Sequence, residues 1–375
     1  MPMSQRERIL SVYRGDTPDV VPFMLDLGHW FSHARGMPWD LSRAREEPDY
    51  AQIEYHRREG IGFYLPSLPA FYSIGHEGGV ISEVGKKSVH GNPEITWRYV
   101  TSIGTIERTR VWQPETYSWA IRDWGVKTPE DLRILTHALA NRTYAPNWSR
   151  YQAWAECAGD VGVVYLPLVY SGMGQLLCYW MGVEQTVYAT TDFPEVVRES
   201  VDRINENNLK LVDLAGESPA EIIVMGDNFS SDVQPPSFFH RWSRDYYVEA
   251  VRRLHAAGKY VAIHIDGKLR GALEMIRETG ADCADAVTPA PMGDLSPQEC
   301  RDEAGPDFIL SGGVPPNLWV PEVEEGEFRR AVMAWLDLRK RSPRLIANAG
   351  DQVPPGAPEQ RILLMRDIVE QHGRY

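Results

Sequence analysis

The sequence predicts an α/β protein built as a (β/α)8 TIM barrel, and three observations carry that prediction. Eight short, nearly continuous apolar runs each end in Gly, Pro, Asp or another turn-forming residue. Longer segments with helical periodicity follow most of them. Strands that are apolar on both faces and alternate with helices belong in a parallel sheet covered on both sides, and eight such units close into a barrel.

In chain order, the first two strands are expected at VVPFMLDLG (20–28) and IGFYLPSLP (61–69). The stretch 79–116 then breaks the rhythm. Its alternating TWRYVTSIGTIERTRVW reads as an antiparallel hairpin turning near Gly104, inserted in the loop after the second strand. The rhythm returns with strands at 161–170, 221–228, 260–267, 284–291, 308–314 and 345–351, and with helices at 194–215, 236–257 and 327–340. No internal repeat or low-complexity linker marks a boundary, so residues 1–375 are expected to form a single barrel domain with the 79–116 hairpin as its elaboration.

Composition narrows the function. The 39 Lys and Arg against 52 Asp and Glu leave a net charge of −13, which repels phosphates and argues against a nucleic-acid or anionic-membrane binder. No run approaches the roughly 18 apolar residues of a membrane helix, and MPMSQRERIL lacks the apolar stretch of a signal peptide, so a cytoplasmic location is expected. Cys157, Cys178, Cys283 and Cys300 form no CxxC pair, as suits reduced thiols. Nothing matches GxxxxGK[ST], HExxH, GxSxG or a strand-linked GxGxxG, so ATPase, zincin, hydrolase-elbow and dinucleotide readings lack support.

Chemistry in such a barrel sits at the C-terminal ends of the strands. The polar residues there are Asp26 and His29, Ser67, Tyr170, Asp227 and Asn228, His264 and Asp266, Thr288, Gly312 with Gly313, and Asn348 with Asp351. Asp, Asn and Ser also favour turns and helix caps, which is the plainer account of Ser67, Thr288 and Asn348. His264-Ile265-Asp266-Gly267 is the sharpest feature. Residues i and i+2 of a strand share a side, so the imidazole and carboxylate face the mouth together. Such a pair serves as an oriented acid–base couple or as metal ligands. Asp227 ends an apolar strand and is the next catalytic candidate. His29, Trp30, Tyr170 and Asn228 are candidates for the substrate pocket.

The order of these motifs resembles the uroporphyrinogen decarboxylase superfamily, nearly end to end. The resemblance runs from RERILSVYRGDTPDVVPF, through Gly226-Asp227 and QPPSFFHRW, to His264-Ile265-Asp266-Gly267, LSGGV (310–314) and DQVPPGAPE (351–359). It implies a barrel of the uroporphyrinogen decarboxylase type, a family that also contains corrinoid- and coenzyme M-dependent methyltransferases.

Two departures select a branch. Uroporphyrinogen decarboxylases carry an Arg-rich RQAGRY-type motif on the first strand, where this chain reads Met24-Leu25-Asp26-Leu27-Gly28-His29-Trp30. An aspartate there repels a substrate bearing many carboxylates. The thiol-using methyltransferases of the family bind zinc through His-x-Cys and a later Cys, whereas here the matching positions are His264, Asp266 and Asp351. That harder trio suits a thiolate acceptor poorly.

The resemblance therefore implies a corrinoid-dependent methyltransferase of the O-demethylase kind. It would move a methyl group from an aryl methyl ether to the Co(I) of a corrinoid (cobalamin) on a separate carrier protein. His264, Asp266 and Asp227 are the expected catalytic groups, and His264, Asp266 and Asp351 the set that would bind Zn2+. A homodimer accords with the family. The alternatives are a lyase that decarboxylates a small carboxylic acid, and a non-enzymatic ligand-binding relative.

Overall fold

The computed structural model describes residues 2–36, 40–89 and 91–375. Strands β1 (Tyr72–His76), β2 (Ile81–Val89), β3 (Asn92–Thr101), β4 (Gly104–Gln113), β5 (Ser118–Asp123) and β6 (Arg142–Pro146) precede β7 (Leu166–Pro167). Strands β8 (Ile222–Phe229), β9 (Tyr260–Ile265), β10 (Cys283–Val287), β11 (Ile309–Val314) and β12 (Leu345–Ala349) follow. The last six form one parallel sheet in the order β12-β11-β10-β9-β8-β7.

Two extended segments close that sheet. Phe23 pairs in parallel with Ala347 of β12, Met24 with Gly62, and Phe63 with Gly162 just ahead of β7. The amide of Met24 donates to Ala347 (3.1 Å), that of Gly62 to Phe23 (2.8 Å) and that of Val163 to Phe63 (3.0 Å). The segments around 23 and 62 thus complete an eight-stranded barrel. Glycine is required at this seam. A Cβ on Gly162 would stand 1.8 Å from the Phe63 carbonyl oxygen.

The barrel is filled as its alternation demands. Met24, Tyr64, Val163, Tyr165, Val224, Ala262, Cys283, Ile309 and Ile346 point inward and pack together. The helix Gln5–Arg14 closes the bottom with Ile9, Val12 and Tyr13, held by the Ser4/Glu7 capping box and by Arg8 paired to Asp19 (2.8 Å) and Glu370 (2.5 Å). Outside, the helix Pro194–Gly216 buries Val197, Val201, Ile204, Leu211 and Val212 along one stripe. Among the described residues no helix is long and apolar enough to cross a membrane.

The insertion after the second strand is larger than a hairpin. A hairpin does turn between Thr101 and Gly104, but β2-β3-β4-β5 form a four-stranded antiparallel sheet, and β1 pairs with β6 beneath it. The missed strands lack the signal: β2 is exposed along most of its length and β5 has only six residues. Two helices also end early. Ser243 separates Pro236–Trp242 from Arg244–Ala256, and the helix Glu325–Leu336 tightens into a 3-10 turn, Asp337–Lys340.

The seam yields a stability prediction. Gly162→Ala forces the strand apart from Phe63 and costs about 3 kcal/mol, the upper end for overpacking. In urea unfolding its midpoint falls at unchanged slope. Gly85→Ala, whose Cβ meets nothing closer than 4.0 Å on exposed β2, leaves the midpoint in place.

Candidate active site

The inward parity of the strands turns from apolar to polar one layer above the core. Asp26, Tyr64, His264, Asp285, Ser311 and Asn348 occupy that layer, and hydrogen bonds link several of them around the barrel. The Asn348 side-chain amide donates to the Tyr64 hydroxyl (3.2 Å) and contacts Ser311 Oγ (3.4 Å). The Ser311 hydroxyl donates to Asp285 Oδ1 (3.2 Å). Asp285 and His264 are directly paired residues of β10 and β9, and His264 Nδ1 lies 3.5 Å from Asp285 Oδ2. On the other side of the ring, His264 Nε2 lies 4.0 Å from Asp351 Oδ1.

These neighbours set the charge state of the imidazole. Burial alone pushes it down, but contact with Asp285 and the charges of Asp351, Asp285 and Asp266 outweigh burial and hold it up at about 9. Burial raises Asp351, and the facing His264 works against that rise. Asp26 is fully buried and pushed up to about 6, chiefly by desolvation. It accepts from the Gly28 amide and from Gln352 Nε2, both at 2.9 Å.

Above this layer opens a cavity of about 600 Å3. Asp26, Tyr64, Tyr170, Asn228, His264, Asp266 and Asp351 line it from the barrel, and His29 from the first βα loop. The insertion supplies the opposite wall with Arg110, Trp112, Tyr117 and Trp119. His29 Nε2 sits 2.6 Å from the Tyr117 carbonyl, so that nitrogen donates, and the two rings lie 5.2 Å apart. The Tyr170 hydroxyl donates to Asn228 Oδ1 (2.6 Å). His264 and Asp266 thus reach one cavity, as i and i+2 predict, and Asp351, His29, Tyr170 and Asn228 join them.

Two expected residues lie elsewhere. Asp227 has the opposite parity to Gly226 and turns behind the wall, where it accepts from the amide (2.8 Å) and the hydroxyl of Ser171. Burial pushes its carboxyl up to about 7. Asn228 regains the cavity because the β8–β9 register slips at this point and Asn228 takes a left-handed conformation (φ 48°). Trp30 is also outside: its indole donates to the Ala357 carbonyl (2.8 Å) and its ring packs against Tyr55.

The trio expected to hold zinc does not fit a metal as placed. Among the described residues no three His, Cys, Asp or Glu side chains converge to hold an ion. His264 Nδ1 faces Asp285 at 3.5 Å and Nε2 faces Asp351 at 4.0 Å, so as placed neither nitrogen converges with a second donor on one ion position.

Sequence reasoning passed over Asp285, Tyr64 and the wall residues of the insertion. Asp285 had a signal, an acid embedded in an apolar strand (ADAV). Arg108, Arg110 and Trp112 share a face by alternation on β4, but nothing in the sequence says over which cavity that face folds.

Comparisons with known proteins give the following. The family described as Uroporphyrinogen decarboxylase (URO-D) matches residues 171–372, more than half of the chain. No curated protein matches its sequence. A methyltransferase from Methanosarcina mazei is similar in structure, with a TM-score of 0.62 over 98% of this chain and 99% of that one, at 13% identity. A D-psicose 3-epimerase from Clostridium cellulolyticum shows a TM-score of 0.37 over 60% of this chain and 84% of that one, at 10% identity.

The charge state of His264 makes a pH prediction. A group held above its ordinary value of 6.5 in the folded protein contributes stability in full below pH 6.5 and loses it as pH rises through about 9. Unfolding free energy from urea titrations falls from pH 6.5 to 9 in the native protein. In His264→Gln that fall is largely removed.

Proposed function

The chain belongs to the uroporphyrinogen decarboxylase family, and from that premise we propose that it is a corrinoid-dependent methyltransferase. It moves a methyl group from a small methylated donor, foremost an aryl methyl ether, to the Co(I) of a corrinoid carried on a separate protein. The observation that carries this reading is the His264 imidazole set among Asp285, Asp351 and Asp266, which favour its protonated form, at the floor of a cavity with aromatic walls. The similar fold of a methyltransferase over nearly the whole chain supports it.

Co(I) is a strong nucleophile, and the barrier lies with the leaving group. An aryl methyl ether releases an aryloxide, which needs a proton or a positive charge at its oxygen. In this reading Nε2 of His264 is the donor to that oxygen. A bound corrinoid would supply the Co(I) nucleophile and the electron pair that takes the methyl group; as the C–O bond breaks, its electron pair passes to oxygen and His264 gives its proton there to make the free phenol. Asp285 orients the ring from behind, and Asp266 and Asp351 favour its reprotonation from solvent. Trp112, Tyr117 and Trp119 offer flat faces to an aromatic ring. The corrinoid carrier docks over the C-terminal ends of the strands, where the cavity opens. Uroporphyrinogen is not the substrate in this reading, because Asp266 and Asp351 at the floor of the cavity repel a molecule bearing many carboxylates.

One observation favours a second reading. Arg110 of β4 reaches the same cavity, and a cation facing an acid–base pair suits decarboxylation of a small carboxylic acid.

Three expected outcomes test the proposal. Anaerobic protein mixed with Co(I) cobalamin and methoxylated aromatics converts the Co(I) absorbance to that of methyl-Co(III) and releases no CO2. CO2 release without cobalt methylation establishes the decarboxylase instead. In the same assay His264→Gln lowers kcat about 10²–10⁴-fold, the usual worth of a general acid. Asp266→Ala abolishes most of the transfer while retaining the native circular dichroism and urea midpoint, and full activity in that variant removes Asp266 from the mechanism.

A further inference from the structure

A second chamber of about 460 Å3 adjoins the first and shares Asp26, Leu65, Pro167, Leu168, Tyr170 and Gln352 with it. Its far wall is made by the inserted strands and contains two arginines, Arg108 and Arg142, while Arg110 stands at the first chamber. Among the described residues none of the three makes an ion pair with an acid (all three are absent from every pair in which Lys, Arg or His meets Asp or Glu). Arg142 is 7% exposed, and its Nε and Nη1 have no hydrogen-bond partner, although Nη2 donates to the Tyr99 hydroxyl (3.2 Å). Arg108 Nε and Nη1 and Arg110 Nε are also buried without a partner.

Stacking supports these cations without neutralising them. The Arg108 guanidinium lies 4.3 Å from the Trp97 ring centre, 5.0 Å from Tyr179 and 5.2 Å from Trp180, and Arg110 lies 5.4 Å from Tyr179. Desolvation, with the like charges of Arg110 and Arg142, pushes Arg108 down to about 10. Asp26 is the acid nearest to hand in the shared wall, and both of its oxygens are already engaged by Gly28 and Gln352. Arginine does not deprotonate at ordinary pH, so a protein of net charge −13 keeps one buried and two half-buried cations clustered here, with N–H groups that no protein atom accepts from. Each such N–H costs free energy until something accepts from it.

We propose that this second chamber binds the oxyanion of an aryl carboxylate or aryl phosphate, with Arg108 and Arg142 gripping the anion and Tyr72, Trp97, Tyr99, Tyr179 and Trp180 enclosing its surroundings. A guanidinium fork matches either anion by paired N–H···O bonds. The proposal deepens the methyltransferase reading and rests on it for one point: the methyl-bearing end of the same substrate extends past Tyr170 to His264. The acidic floor and the basic chamber then fix which end of an anionic substrate enters where.

The test is calorimetric titration of the full chain, without corrinoid, against benzoate, phenyl phosphate, inorganic phosphate and the neutral isostere benzamide. Benzoate or phenyl phosphate binds at least tenfold tighter than benzamide, as hydrogen bonds to a charged group are worth. Inorganic phosphate, lacking a ring, binds more weakly than phenyl phosphate. In Arg108→Gln, a partly exposed position, the preference for the anion over benzamide shrinks about tenfold. Arg142→Lys, which keeps the charge but not the fork, narrows it as well. Equal binding of benzoate, phenyl phosphate and benzamide by the native protein overturns the site, and so does a preference that survives both substitutions. Benzoate preference with no methyl transfer from 4-methoxybenzoate supports the anion site and overturns the methyltransferase reading. Transfer from 4-methoxybenzamide as fast as from 4-methoxybenzoate, with no benzoate preference, does the reverse.

Discussion

An imidazole held toward its charged form inside a barrel needs opposite charge close beside it, and Asp285, with Oδ2 3.5 Å from His264 Nδ1, supplies it. The two residues are direct partners in neighbouring strands, so the backbone register of β9 and β10 sets their separation. Asp285 is itself wholly buried, and it accepts from Ser311, whose Oγ is contacted by Asn348, and Asn348 in turn donates to the Tyr64 hydroxyl. Removing any one of these leaves a desolvated polar group without its partner, which is costlier than the bond it made. The polar layer therefore requires the strand register, and the register requires the close seam at Gly162.

The insertion completes what the barrel leaves open. The barrel end is acidic, with Asp26, Asp266 and Asp351 around His264. The inserted strands bring aromatic rings and three arginines over it, Arg108 and Arg110 from β4 and Arg142 from β6. Charges of opposite sign thus stand on opposite walls, with the apolar side chains of Leu65 and Leu168 between the two chambers. A neutral, flat molecule would have no use for that separation. An elongated substrate with one anionic end would be oriented by it, and orientation is a large part of what an enzyme contributes to a displacement reaction.

Parity decides which polar residues belong to the site. His264 and Asp266 both face the cavity because they are two apart on one strand, whereas Asp227 is turned behind the wall by its odd step from Gly226. There it anchors the Ser171 turn by accepting from both its amide and its hydroxyl. The slip after Gly226 returns Asn228 to the cavity. One bulge thereby separates a supporting residue from a lining residue next to it in the chain.

The sequence by itself determined the eight βα units, the place of the insertion and the pairing of His264 with Asp266, because those depend on local periodicity of two or 3.6 residues. It also determined the acidic character of the mouth, through Asp26 and Asp351 at strand ends. Only the tertiary structure decided that Asp285 lies behind His264, that Trp30 serves the packing and that Arg108, Arg110 and Arg142 gather beside the mouth. Those relations join residues far apart in the chain, such as Arg142 and Tyr99 or His264 and Asp351. Their meeting depends on strand register and on how an inserted sheet folds back, which no local pattern encodes.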